Sequence, residues 1–586
     1  MPKILIKEFD KTSAGTPGRY GNYSVLITGY QKEFSETEVE AAKEEIEAYV
    51  EAVEKGQKPT PLSDTAKMVQ ARDQRIDGNG VYEFSSASDF LATIGETDIE
   101  KTDSTGKTVE IHYGNRMAYH LLQLGYTVIY KTISSVQEML SEDFWSIFKD
   151  KASYDFRFVN HGLLETCYNA NEYAKMTARL DELKSYVIKL ADLKKDVDVN
   201  LAATEGWKDL SEEAKAEARD EAYADAFEAA KDAGYFVSLA DEQDPSKNVY
   251  YAYNVAVELF TIPEGEEMAP GVKAQVEDID KYDAEHLTPI AFNTINGCIA
   301  KLASYKVKED DGTVLCDGRG DCTALVELAE NDYVKASTKR PEELIIDGID
   351  KMTGVTKNEG PYCALTVPSV YYKTAAGALK FPAAFHYLAC FMNSLGSGYA
   401  EWYAAAGYTR GVSSYVIDHT SVKLGEIAIN ALEPRNIDND PLTAQPKFAC
   451  NVIANFRGSY YLWGNRTAAE LKAEMGGGDL TAEHFLNIRQ LCTTIKKQLY
   501  VACRRFTFDP NSDTLWFNFV NAITPTLDMM KADQGIRDYK VVKVFTDKKA
   551  TMKAKIRIIP IEAVEDFDLE ISLEDSFGET TATVNG

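Results

Sequence analysis

The chain has 586 residues, 45% of them hydrophobic, and its 92 acidic against 63 basic side chains leave a formal charge of −29. That length exceeds one core, so about two to four domains are expected, and the acidic balance argues against direct binding of nucleic acid, which requires a dominant basic surface. No run reaches the roughly 18 apolar residues of a membrane span. The start, Met1-Pro-Lys-Ile-Leu-Ile-Lys7, lacks the apolar core and cleavage site of a secretory signal, and the nine scattered cysteines read as reduced, mostly buried thiols without zinc-ligand spacing.

In chain order, Lys3-Ile4-Leu5-Ile6-Lys7 reads as a short basic strand on a leash, since residues 12–21 are rich in Gly, Ser, Thr and Pro. A core strand is predicted over 23–28 and a charged helix over 37–54, ended by Gly56, Pro59 and Pro61. Strands follow at 81–84, 126–130 and 154–159, with helices at 88–94 and 117–124. The composition then shifts over 191–285. Within that stretch, 211–233 is a helix in Ala, Glu, Asp and Lys, with Ser211 as N-cap and Gly234 as stop. Its polar face is acidic, which fits a surface insertion better than a membrane-surface helix.

Alternation of strands and helices resumes at 291–305, 322–328 and 362–367 and favours a mixed or mostly parallel sheet covered by helices. Long helices are predicted over 382–394, 482–505 and 514–530, then a strand over 539–545. The end of the chain carries two period-2 strands. Residues 551–559 alternate Met552, Ala554, Ile556 and Ile558 with Lys553, Lys555 and Arg557; residues 566–574 alternate Phe567, Leu569, Ile571 and Leu573 with Asp566, Asp568, Glu570 and Glu574. Opposite charges across a strand pair contribute about 0.2–1 kcal/mol each. Either both chain ends fold back on their own domain, or they pair with the sheet edge of another copy and make a polymer.

Chemistry-bearing motifs are scarce. There is no phosphate-binding Gly-rich loop, and Gly476-Gly-Gly478 sits between polar helical stretches as a loop. The seven histidines are single, and Asp418-His419 is adjacency rather than a triad. Arg319-Gly-Asp321 precedes an apolar strand and reads as a local turn, and Asn465-Arg-Thr467 is a glycosylation acceptor only in a secreted chain. A pair of carboxylates could serve a glycosidase, though no pattern selects one. The basic residues concentrate late, at Lys496, Lys497, Arg504, Arg505, Lys540, Lys543, Lys548, Lys549, Lys553, Lys555 and Arg557. They read as solvated faces or as a basic surface toward an acidic partner.

The segments Pro382-Ala-Ala-Phe-His-Tyr-Leu388, Trp402-Tyr-Ala-Ala-Ala-Gly407, Thr409-Arg-Gly411 and Tyr460-Tyr-Leu-Trp-Gly-Asn-Arg-Thr467 resemble the contractile tail sheath proteins of phages and related injection machines. So do Arg489 to Arg505, the strands from Tyr539 and Ile556 onward, and Arg319 to Glu327. The resemblance covers the C-terminal region well and 80–190 loosely; it omits 37–55 and 191–285, which read as surface insertions.

It implies a multidomain, mixed α/β (α+β) chain: an arm and linker at 1–22, middle domains at 23–190 with 286–360 carrying a helical insert at 37–55, an acidic insertion at 191–285, a sheath core at 361–561, and an arm at 562–586. It further implies a structural, non-enzymatic subunit without cofactor or metal. Such a subunit polymerises with itself, in six-fold rings, around a tail tube protein between baseplate and terminator proteins. It would be assembled in the host cytoplasm as a virion tail, without direct nucleic acid or membrane insertion, and would contract to drive the tube through an envelope. Ile4, Leu5, Ile6, Phe567, Leu569 and Ile571 would be arm strands lent to neighbours, and Lys553, Lys555, Ile556 and Arg557 would belong to the receiving strand. Lys496, Lys497, Arg504 and Arg505 would face the tube; Trp402, Arg410, Trp463, Asn465 and Arg466 would serve the fold. The competing readings are an α/β hydrolase acting on carbohydrate and a rigid adhesin or capsid-associated protein.

Overall fold

The computed structural model describes residues 23–75, 79–95, 99–102, 108–169, 173–175, 178, 187–232, 236–239, 249–251, 290–306, 316–335, 337–350, 352, 354–375, 377–432, 449–469, 481–545 and 552–563. Its centre is an eight-stranded sheet. In chain order the strands are β1 (Ser24–Tyr30), β2 (Val81–Phe84), β3 (Thr127–Ile133), β4 (Phe158–Asn160), β5 (Thr323–Val326), β6 (Cys363–Val367), β7 (Asn451–Phe456) and β8 (Ser459–Trp463). They lie in the order β8-β7-β6-β5-β4-β1-β3-β2. The six inner strands are parallel, and the two edge strands run antiparallel to them.

Parallel sheets form where helices cover both faces, so their strands are apolar throughout. All seven residues of β1 are buried accordingly. Leu26, Ile129, Val159, Val326 and Leu365 point to one face, where they meet Phe292, Ile295 and Ile299 of a helix over Phe292–Ala303. Val25, Ile27, Val128, Phe158 and Leu325 point to the other. There they meet Met117 and Leu121 of the helix Gly114–Gln123, and Phe385 and Leu388 of the helix Ala383–Gly396.

The helix Glu36–Glu54 starts one residue earlier than its charge pattern predicts, because Ser35 and Glu38 close a reciprocal capping box. In the stretch read from the sequence as an insertion, helices Leu190–Ala202 and Glu212–Asp232 are joined by an Arg219–Asp198 ion pair at 3.0 Å, and Ser211 Oγ accepts the Ala214 N–H as expected of an N-cap. A three-stranded sheet of 187–189, 236–239 and 249–251 accompanies them.

Two differences from the sequence reading stand out. The division expected at residue 361 falls between β5 and β6, which pair directly, so one sheet takes strands from both sides of it. The helix predicted from residue 482 begins at Leu486, preceded by a short 3-10 turn over Ala482–His484, where His484 Nδ1 accepts the Thr481 N–H.

The C-terminal part adds a helix α1 (Leu486–Arg505), a helix α2 (Asp513–Ala532) and a hairpin of β9 (Ile536–Val544) with β10 (Lys553–Pro560). Their shared core is Trp402, Leu491, Ile495, Leu527, Met530 and Ile536, with Tyr539, Val541, Ile556 and Ile558 of the hairpin packed on it. The hairpin is a separate two-stranded sheet.

Candidate assembly surface

The hairpin is two-faced because its residues alternate. Tyr539, Val541, Ile556 and Ile558 turn inward. Lys540, Lys553, Lys555 and Arg557 stand exposed on the other face. Lys540 lies directly opposite Arg557, a like-charge pairing that is unfavourable in an isolated hairpin. Among the described residues none of these four cations is ion-paired. The ion pairs at the hairpin are Lys531–Asp538 at 2.9 Å and Lys543–Asp513 at 2.7 Å.

Among the described residues β9 pairs only with β10, so each strand presents one unpaired main-chain edge. An isolated two-stranded hairpin is marginal in water, and an open edge is a template for another strand. Thus Lys553, Lys555, Ile556 and Arg557 form a strand with an open edge, three cations outward and one apolar anchor inward. The arm residues Ile4, Leu5, Ile6, Phe567, Leu569 and Ile571 lie outside the described residues.

The four cations assigned to a tube divide into two pairs. The face of α1 bearing Lys496 and Lys497 packs on the chain itself. Lys496 Nζ donates to Gly320 O at 2.7 Å and lies 5.3 Å from the Tyr362 ring centroid; burial depresses its pKa to about 8. Lys497 is ion-paired with Asp155. These two serve internal packing, a correction to the sequence reading. Arg504 and Arg505 are exposed in the last helical turn, where cations suit the helix dipole, and Arg504 lies over Tyr500.

Beyond them the structure shows what periodicity could not: Phe508 is fully exposed with φ of 74°, and Phe517 and Val501 are exposed nearby in sequence. The only trace in the sequence is that Phe508 falls outside the helical repeat, in the turn before Pro510.

The residues assigned to the fold are tied into it. Trp402 is buried; its Nε1–H donates to Asp533 O at 3.0 Å and its carbonyl accepts Asn487 Nδ2 at 3.2 Å. Arg410 Nε donates to Ala404 O at 2.8 Å, and the guanidinium covers the Tyr399 and Tyr403 rings. Asn465 joins the start of α1 twice, donating to Asn487 Oδ1 at 2.8 Å and accepting the Asn487 N–H at 3.0 Å. Arg466 is buried over Phe485, with its N–H donating to Asn451 Oδ1 at 2.8 Å. Trp463 packs with Tyr408 and Phe456, centroids 5.1 and 4.9 Å away.

Open α/β sheets bind ligands where the strand order reverses. Here that place lies at the C-terminal ends of β1 and β4, and two histidines fill it. His112 Nδ1 accepts the Gly114 N–H and His161 Nδ1 accepts the Leu163 N–H, both at 3.0 Å, so each ring carries its proton on Nε2. His161 Nε2 then donates to Asn296 Oδ1 at 3.0 Å, and His112 Nε2 lies 3.3 Å from Thr28 Oγ1. Burial holds both neutral, with pKa values near 3 and 4.

A Cβ on Gly162 would come within 2.8 Å of Gly114 Cα, so the crevice is closed by packing. Asp418 and His419 are exposed on the edge strand Ile417–Thr420 of a three-stranded sheet, the ring stacked on Tyr371. Arg319 and Asp321 form a buried pair at 3.0 Å, so their tripeptide is an internal turn. Among the described residues no cluster of His, Cys, Asp or Glu could hold a metal, and no helix is long and apolar enough to cross a membrane.

No family model and no curated protein matches the chain. Solved structures similar to it include the PVC sheath complex of an extracellular contractile injection system in the contracted state, at 10% identity and a TM-score of 0.44, covering 98% of each chain. The anti-feeding prophage baseplate, six-fold symmetrised, matches at 9% identity and 0.44, covering 98% of this chain and 99% of that one. The anti-feeding prophage helical sheath in the contracted state matches at 9% and 0.43, with the same coverage.

Proposed function

We propose that this chain is a structural subunit of a contractile tail sheath. It polymerises with itself around a tail tube, between baseplate and terminator, and contracts to drive the tube through an envelope. The observation that carries the reading is the C-terminal hairpin, which among the described residues has two open edges and a cationic face without ion pairs, on a chain whose own segment 566–574 alternates apolar and acidic residues. That segment has the complementary charge and the period of two needed to extend the hairpin. Main-chain ladders on flexible leashes keep subunits linked while they slide, as contraction requires. Arg504 and Arg505, exposed at the end of α1, are the cations left to meet an acidic tube. The packed switch-point crevice favours this structural role over a hydrolase.

Negative-stain microscopy tests the proposal. The full chain should form hollow tubes, and a chain lacking residues 1–12 should remain folded and monomeric. Long tubes from the truncated chain would exclude the lent strand at the N-terminus.

A further inference from the structure

Tyr23, the first described residue, is fastened to the body of the chain before β1 begins. Its hydroxyl donates to Glu401 Oε1 at 2.5 Å, its ring meets Phe391 edge-on, and the Arg157 guanidinium lies 5.8 Å from its centroid. Glu401 and Arg157 are both buried. Arg157 is held by α1, donating to Gln490 Oε1 at 3.2 Å and Thr494 Oγ1 at 2.7 Å. Among the described residues Tyr23 is the one donor to Glu401, whose Oε2 has no partner. A buried carboxylate so poorly supplied depends heavily on that single hydroxyl.

The next residue is Trp402. Its indole N–H holds Asp533 O, and its ring lies so close to Gly535 that a Cβ there would come within 2.8 Å. Strand β9 starts at Ile536. Two consecutive residues therefore join Tyr23, at the start of β1, to the root of the hairpin.

We propose that the pair Glu401–Trp402 is a coupling element that sets the origin of the N-terminal segment relative to the receiving hairpin. The end a subunit lends and the sheet with which it receives are then held in one frame. Tyr23, Glu401 and Trp402 are positioning residues in this scheme. The significance for a lattice rests on the sheath reading, whereas the coupling is a property of one chain. Spatial proximity does not establish coupling, so the test must perturb one end and read the other.

Hydrogen exchange on dilute full-length chain, compared with Tyr23→Phe and Glu401→Gln, does so. In Tyr23→Phe, amides of 23–27 and of 533–537 should exchange together about tenfold faster or more, the scale of a lost buried hydrogen bond to a charged group. Glu401→Gln, which keeps an acceptor for Tyr23, should give a smaller parallel rise. Acceleration confined to 23–27, or none at either place, overturns the proposal. If Tyr23→Phe unfolds throughout, Glu401→Gln decides by the same criterion. Tube formation by the chain lacking residues 1–12 tests the sheath reading separately.

Discussion

In the eight-stranded sheet, β1 has a hydrogen-bonded neighbour on each side and seven buried residues; β10, in the hairpin, has one neighbour among the described residues and side chains that alternate between half-buried and exposed. The first region closes its own hydrogen bonds and its own core. The second docks one face on Trp402 and the helices α1 and α2 and, among the described residues, leaves an edge unpaired and a charged face uncovered. A protein that needed only to fold would gain by pairing or shortening that edge. The difference separates the part that gives the chain its stability from the part that the proposed assembly would use.

Mutations should divide along the same line. Ile27→Ala, in the fully buried strand, should cost about 2–5 kcal/mol in denaturant unfolding, since it empties core volume on the face covered by the helices Gly114–Gln123 and Ala383–Gly396. Arg466→Ala strips a buried cation from the Phe485 ring and should cost about 1–3 kcal/mol, read in the same assay, with reduced tube yield. Wild-type-like stability and tubes from this variant would sink its assigned role in the fold.

The pH profile should probe the buried titrating groups at and around the C-terminal ends of the sheet strands. His112 and His161 have folded pKa values depressed below the ordinary imidazole value, so the unfolded chain binds more protons in acid. Their contribution is complete above about pH 6.5 and falls as the pH drops toward 4 and 3. Glu327 has the opposite sign: burial raises it to about 8, so its contribution is complete below the ordinary carboxylate range and is lost as the pH climbs through 8. Glu110, raised to about 7, adds to that limb. Thermal melts from pH 5 to 9 should show the alkaline decline, and Glu327→Gln should flatten it.

In the hairpin, Ile556→Ala should cost only about 1 kcal/mol, as expected for a half-buried side chain. The smallest effect on folding, within about 0.5 kcal/mol, should come from the triple reversal Lys553→Glu, Lys555→Glu and Arg557→Glu. Yet this variant should lose its tubes. Tubes that survive the reversal would show that the exposed cations do not recruit an acidic strand.

Most elements were legible in local pattern. The core strand predicted over 23–28, the Ser211 cap and the two C-terminal helices each follow from periodicity and end signals within a few residues. The alternation of strands and helices likewise implied a mixed or mostly parallel sheet, since parallel strands need crossovers. Local pattern could not reveal how strands distant in sequence pair, so it divided at residue 361 a sheet that β5 and β6 hold together.

Side-chain partners were equally out of reach. Lys496 and Arg504 read alike as cations on one helix, but only packing put Nζ of the first on Gly320 O and left the second in solvent. Tyr23 and Glu401 are 378 residues apart, and nothing in either segment announces the other. Periodicity records which face of an element avoids water. Which group meets that face is settled by the closure of long loops, whose free energy depends on the whole chain.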